Sequence, residues 1–153
     1  MALSDYLCKE AICMDLAPRK RDDAVRALLE TLVAAGSLPA GALGRALTAI
    51  LEREKLGSTA IGCGVAVPHA RLEELDRILV AFGFSAEGVE FRALDSQPVH
   101  EVFVIIAPKG QAAQYLEVMQ RITHLVQNSD FRRFLAHTKS SDDVISLIQE
   151  MDA

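Results

Sequence analysis

The sequence predicts a single α/β domain, with a mixed β-sheet flanked by helices on both faces. Two observations lead to this fold class. Apolar residues at helical spacing occupy the first and last thirds of the chain, whereas the middle third holds compact apolar runs of strand length. The length of 153 residues fits one domain, because a chain of about 150 residues buries roughly 68–70% of its unfolded surface. The expected domain covers residues 1–153.

Two amphipathic helices are predicted before the middle third. Asp22 and Asp23 begin the first, where acidic side chains interact well with the positive end of the helix dipole, and Gly36 ends it. Pro39 is expected in the first turn of the second helix, which ends near Lys55. The apolar stripes are Val25, Leu28, Leu29, Leu32 and Val33, then Leu43, Leu47, Ile50 and Leu51.

Three helices are predicted after the middle third. The first runs from Tyr115 to Val126, with a stripe of Leu116, Met119, Ile122 and Val126 facing the core and Tyr115 at its edge. Phe131, Phe134 and Leu135 indicate a short helix. Ser140, Ser141, Asp142 and Asp143 then cap a final helix with Val144, Leu147, Ile148 and Met151 on one face.

The middle third is predicted to form the sheet. The runs RILVAFGFS (77–85) and VHEVFVIIAP (99–108) have the length and composition of buried strands. A shorter strand, Val65–Val67, runs into Pro68, which restricts the backbone. We expect the strand to stop there and to present His69 at its end. Gly57, Gly62 and Gly64 are expected to bring backbone N–H groups beside His69, where they would suit an anion.

Composition excludes several function classes. The chain has 21 acidic and 16 basic residues, a net charge of −5 and a pI near 5.3, which argues against a general nucleic-acid binder. The three cysteines and four scattered histidines lack the spacing of metal ligands, which disfavours a metal-dependent hydrolase. Neither a signal peptide nor a membrane-length apolar run is present, so we expect a cytoplasmic protein.

From the residues alone, His69 is either an ordinary turn residue or a functional group. The run Arg53-Glu54-Lys55-Leu56-Gly57-Ser58-Thr59-Ala60-Ile61-Gly62, followed by Gly64-Val65-Ala66-Val67-Pro68-His69-Ala70-Arg71, resembles the signature of a known family. That family is the fructose–mannitol class of enzyme IIA domains of the phosphoenolpyruvate-dependent sugar phosphotransferase system, which includes the nitrogen-regulatory enzyme IIA proteins. Asp95, Pro98, Val99, Pro108 and Leu116 extend the resemblance over essentially the whole chain.

The resemblance implies roles for individual residues. His69 matches the histidine that carries the phosphoryl group on Nε2, and Arg53 matches the arginine beside it. Without the resemblance, Arg53 is interpreted as an ordinary arginine at the end of a helix, where a positive charge interacts favourably with the helix dipole. Ser58 and Thr59 are expected either to donate to the phosphate or to cap the turn. Tyr115 stands where the family usually has a second histidine, and we expect its hydroxyl to take that histidine's place.

The implied function is that of a phosphotransferase component without a cofactor or a metal. It would accept a phosphoryl group on His69 from an HPr-like phosphocarrier protein and pass it to an enzyme IIB domain or use it for regulation. We expect no second domain, which favours the nitrogen-regulatory branch and implies that any enzyme IIB or membrane component is a separate protein. The alternative is a docking module of the same fold without efficient phosphotransfer.

Overall fold

The computed structural model describes residues 2–93 and 95–152. Within these ranges six strands form one mixed sheet: β1 (Leu7–Cys13), β2 (Ala60–Gly62), β3 (Val65–Ala66), β4 (His69–Leu72), β5 (Leu79–Val89) and β6 (Val99–Pro108). The strand order is β1-β5-β6-β3-β2. Strand β4 follows β3 along the same side of β6 and also pairs with β6. The long pair β5–β6 is antiparallel, whereas β1 runs parallel to β5, and both β3 and β4 run parallel to β6.

Five α-helices of the described chain cover the sheet: α1 (Arg21–Ala34), α2 (Leu43–Glu54), α3 (Ala112–Gln127), α4 (Ser129–Ala136) and α5 (Ser141–Met151). Short 3-10 turns lie at Leu3–Asp5 and Ala40–Ala42. None of the helices in residues 2–93 and 95–152 is long and apolar enough to cross a membrane.

The sheet separates two apolar cores, which confirms the predicted fold class. On one face, Val102, Val104 and Ile106 of β6 pack with the apolar sides of α1 and α2. On the other face, Phe103 and Ile105 pack with α3, α4 and α5. The alternation along β6 follows from the two-residue period of a strand, which sends successive side chains to opposite faces.

The five predicted helices are present, with two errors. Helix α2 begins at Leu43, after the 3-10 turn that Pro39 precedes, so Pro39 does not lie in the first turn of α2. The second error concerns α3. Leu116 is 58% exposed rather than facing the core, and the buried side chains of α3 are Val118, Ile122, Leu125 and Val126. Leu116 lies about 100° around the helix from Tyr115, on the solvent side of this stripe. Tyr115 itself is half-buried and packs against the core that α3 covers.

Strand β1 was not predicted from the sequence. Lys9 and Glu10 interrupt its apolar pattern, and its pairing with β5 shifts register between Leu7 and Ile12. This irregular strand lacks the strict alternation from which a strand is recognised.

Candidate active site

His69 begins a strand, whereas the sequence predicted that it follows the end of one. Pro68 interrupts β3 because it has no N–H to donate, but its carbonyl oxygen accepts a hydrogen bond from Ile105 N at 3.0 Å. The parallel pairing with β6 therefore resumes immediately, with His69 opposite Ile105. The proline turns the backbone without removing the histidine from the sheet.

The position of His69 in β4 determines which way its side chain faces. Ala70 and Leu72 are buried in the core under α1 and α2. His69 and Arg71 alternate with them and therefore lie on the α3 face, as does Val67. The imidazole is half-buried at the margin of this face, next to the start of α3.

The hydrogen bond of the His69 ring fixes which nitrogen is free. Nδ1 lies 2.8 Å from the carbonyl oxygen of Val67. A carbonyl can only accept, so Nδ1–H donates to it and the neutral ring carries its lone pair on Nε2. The second nitrogen is thus oriented by the backbone as a nucleophile or a hydrogen-bond acceptor.

Burial lowers the pKa of His69 below its ordinary value of 6.5, because the charged imidazolium loses solvation. The hydrogen bond to Val67 opposes this effect, and the positive charge of Arg53 adds to it. The negative charge of Glu54 acts in the opposite direction. The ring is therefore neutral, and Nε2 unprotonated, at neutral pH.

Arg53 reaches the site from the last turn of α2. Its Nη1 donates to the carbonyl oxygen of Gly57 at 2.8 Å, which folds the side chain over the turn that follows the helix. Its charge lowers the pKa of both His69 and Tyr115. Arg53 therefore contributes a fixed positive charge that acts on both rings, and its contact with a phosphate stays a prediction.

A buried carboxylate shapes the turn that follows Arg53. Glu54 is only 4% exposed and accepts hydrogen bonds from the backbone N–H of Thr59, at 3.2 and 3.3 Å, and from the Thr59 hydroxyl. Thr59 in turn accepts at its carbonyl oxygen from Val67 N at 3.1 Å, two residues before His69. A chain of hydrogen bonds thus connects α2 to the segment that carries the histidine.

The hydroxyl groups of Ser58 and Thr59 have partners within the protein. Ser58 Oγ donates to the carbonyl oxygen of Phe91 at 2.8 Å and accepts from Ala60 N at 3.1 Å. Thr59 is buried and donates to Glu54. Both residues therefore hold the turn in this structure, and their direct contact with a phosphate stays a prediction.

Tyr115 lies beside His69, with ring centroids 6.1 Å apart and ring planes inclined by 56°. Burial raises the pKa of its phenol to about 12, against the opposing charges of Arg71 and Arg53. The hydroxyl therefore stays protonated at physiological pH and can act as a permanent hydrogen-bond donor. Arg71, from the same face of β4 as His69, lies with its Cζ 5.8 Å from the centroid of the Tyr115 ring.

The glycine turn at residues 62–64 is not part of this cluster, contrary to the sequence analysis. Gly62, Cys63 and Gly64 all adopt positive φ and reverse the chain between β2 and β3. The neighbours of Gly64 are Pro98, His100 and Glu101, and Val65 pairs with Glu101, four residues from the Ile105 that pairs with His69. The turn therefore lies about 13 Å along the sheet from His69.

Sequence reasoning assigned no role to Glu54 or Arg71. Glu54 continues the buried positions Ala46 and Ile50 at intervals of four residues, a spacing that marks the inner face of α2. Arg71 stands two residues after His69, which places both on one face once β4 is recognised as a strand. In residues 2–93 and 95–152, no group of three or more His, Cys, Asp or Glu side chains is arranged to hold a metal ion.

The chain matches a protein-family model and curated relatives. Residues 5–151 match the family described as phosphoenolpyruvate-dependent sugar phosphotransferase system, EIIA 2. The chain is 33% identical over 149 residues to a nitrogen regulatory protein of Bradyrhizobium diazoefficiens, covering 97% of this chain and 95% of that protein. It is also 32% identical over 152 residues to the PTS system fructose-specific EIIABC component of Bacillus subtilis, covering 99% of this chain but only 24% of that protein.

Solved structures share the fold. The nitrogen regulatory protein IIA-Ntr from Neisseria meningitidis superposes with a TM-score of 0.86 at 26% identity, covering 95% of this chain and 98% of that one. Enzyme IIA-Mtl from Escherichia coli, solved in a complex with phosphorylated enzyme IIB-Mtl, gives a TM-score of 0.73 at 28% identity, with 92% and 95% covered.

Proposed function

Because the chain belongs to the EIIA 2 family of the phosphoenolpyruvate-dependent sugar phosphotransferase system, we propose that it is a phosphoryl carrier that accepts its phosphoryl group on Nε2 of His69. The observation that carries the proposal is the hydrogen bond from His69 Nδ1–H to the carbonyl oxygen of Val67. It leaves Nε2 as the free nitrogen, with a fixed guanidinium nearby.

The chemistry requires little of the protein beyond this arrangement. The Nε2 lone pair forms a bond to phosphorus, while the bond between phosphorus and the donor breaks and its electron pair stays with the donor. Positive charge develops on the imidazole, and the Val67 carbonyl bound to Nδ1–H stabilises it. Arg53 balances the charge of the phosphoryl oxygens, and in-line geometry with charge stabilisation supplies most of the catalysis in such transfers.

Exposed apolar residues next to the cluster support docking of a partner protein. Leu56, in the turn after α2, is 84% exposed, and Leu116, adjacent to Tyr115 on α3, is 58% exposed. Leu56 adjoins the turn that Arg53 contacts and Leu116 adjoins Tyr115, so both side chains are available to a partner that docks at the cluster. The donor is an HPr-like phosphocarrier, and the acceptor is an enzyme IIB domain or a regulated target. The nitrogen-regulatory branch is favoured by the TM-score of 0.86 against the nitrogen regulatory protein IIA-Ntr, compared with 0.73 against enzyme IIA-Mtl.

The test is phosphorylation by a defined donor system. The purified chain is incubated with phosphoenolpyruvate, enzyme I and a phosphocarrier protein, and its intact mass is measured. One added phosphoryl group, lost in mild acid as a phosphoramidate should be, is expected. His69→Ala should take up none, whereas His137→Ala, which removes an exposed histidine on α4's C-terminal side, should behave as wild type. Stoichiometric phosphorylation of His69→Ala would show that the site is wrong.

A further inference from the structure

Arg71 is a second arginine at the site whose charge is not neutralised by an ion pair. In the described residues, no Asp or Glu side chain forms a salt bridge with it, although nine other lysine and arginine side chains in the chain do so. Its side chain is exposed. Surface charge pairing therefore does not account for the position of the Arg71 side chain.

The contact that Arg71 does make is with Tyr115. Its Cζ lies 5.8 Å from the ring centroid, within the range of a cation–π interaction. The same ring lies 6.1 Å from the imidazole of His69. The Tyr115 ring thus lies close to both the histidine and the guanidinium, which come from alternate positions of the four-residue strand β4.

Two consequences follow from this stacking. The guanidinium restricts the ring to the side of α3 that faces His69. Its positive charge also favours loss of the phenolic proton, an effect visible in the lowering that Arg71 contributes to the pKa of Tyr115. A more acidic hydroxyl that still keeps its proton is a stronger hydrogen-bond donor to an anionic oxygen.

We propose that Arg71 is a positioning residue for phosphoryl transfer, which holds the Tyr115 ring beside His69 and strengthens its hydroxyl as a donor to the phosphoryl group. This inference rests on the proposed function of His69. In this proposal Arg71 acts through Tyr115, the ring that it contacts, and not by direct contact with phosphate.

A double-mutant cycle tests the coupling. Transfer from the phosphocarrier is measured for wild type, Arg71→Gln, Tyr115→Phe and the double variant. Removal of an exposed cation–π contact should lower kcat about two- to fivefold in Arg71→Gln, with KM for the carrier unchanged because docking is untouched. In the Tyr115→Phe background the ring stays but the donor is absent, so Arg71→Gln should cause no further loss. Arg71→Lys, which keeps a cation, should recover most of kcat.

A matched control variant and a second phosphoryl donor distinguish failure of this inference from failure of the proposed function. Arg26→Gln removes an exposed arginine from α1, on the opposite face of the sheet, and should leave kcat unchanged. The positioning role would be overturned if Arg71→Gln lowered kcat equally in the wild-type and Tyr115→Phe backgrounds. It would also be overturned if Arg71→Gln left kcat unchanged or raised KM alone. The same cycle with phosphoramidate as donor removes docking altogether. If wild type accepts phosphate from neither donor, the proposed function fails together with this inference.

Discussion

Replacing Glu101 by glutamine should make the protein's stability much less dependent on pH between 5 and 8. Glu101 lies in β6, only 6% exposed, on the face covered by α3 to α5 and opposite Val65 of β3. Burial raises the pKa of its carboxyl to about 7, although the charges of His100 and Arg132 oppose the shift. The folded protein therefore binds a proton at neutral pH that the unfolded chain releases.

The sign and size of the pH-dependent change in the free energy of unfolding follow from proton linkage. The pKa of Glu101 is higher in the folded state, about 7 against 4.5. Its contribution to stability is therefore fully present below pH 4.5 and is lost as pH rises through 7. At 1.36 kcal/mol for each tenfold change in proton affinity, the total is on the order of 3 kcal/mol. Most of this loss falls between pH 5 and 8. The glutamine side chain stays neutral throughout this pH range, so Glu101→Gln does not undergo this loss of stability.

The assay is urea denaturation of wild type and Glu101→Gln at pH 5 and pH 8, with the free energy of unfolding compared between them. The difference between the two proteins should change by about 2–3 kcal/mol across this range, in favour of Glu101→Gln at pH 8. Glu150→Gln, an exposed position on α5, serves as the control and should show no such change. Parallel pH profiles for wild type and Glu101→Gln would refute the assignment of a raised pKa to this carboxyl.

Four further predictions concern the site directly. Arg53→Lys should keep the fold but slow transfer about 10²–10³-fold in rapid-quench measurements, because a point charge cannot replace the planar fork of donors. Tyr115→Phe should slow transfer up to about tenfold, and Tyr115→His should add a pH dependence near neutrality, both read from rate against pH. Glu54→Gln should destabilise the fold by about 1–3 kcal/mol in urea, since one carboxylate oxygen that binds Thr59 is lost. Leu56→Asp should raise KM for the phosphocarrier in steady-state transfer without changing kcat. An unchanged transfer rate in Arg53→Lys or an unchanged pH profile in the Tyr115 variants would contradict the first two predictions. An unchanged stability of Glu54→Gln or an unchanged KM of Leu56→Asp would contradict the other two.

Much of the fold was predictable because its elements follow simple periodicities. Helix α1 and strands β5 and β6 have apolar residues at regular spacing, and hydrophobic burial enforces that spacing. Strand β1 was not predictable in this way, since its pairing with β5 is irregular and charged residues interrupt it. Its place at the sheet edge depends on long-range contacts that the local sequence does not encode.

The members of the proposed site came from the family signature, whereas its geometry was less predictable. The signature pairs Arg53 with His69, and the positive charge of Arg53 is one of the causes that lower the pKa of the imidazole. The sequence did not indicate that the parallel pairing resumes after Pro68, because this depends on Ile105 of a distant strand. For the same reason it missed Arg71, whose position opposite Tyr115 exists only once β4 and α3 are packed together.

The presence of Tyr115 beside His69 changes how the site responds to pH. A second histidine would titrate near neutrality and alter the charge next to the phosphoryl group. Tyr115, with a pKa raised to about 12, keeps its proton, and the two guanidinium groups near it carry fixed charges. Within the cluster of Arg53, His69, Arg71 and Tyr115, the imidazole is therefore the group whose charge changes in the physiological range. Because burial and Arg53 lower its pKa, the proposed nucleophile stays unprotonated below pH 7. Transfer should thus lose rate along a single acidic limb, with a midpoint below that of an ordinary histidine.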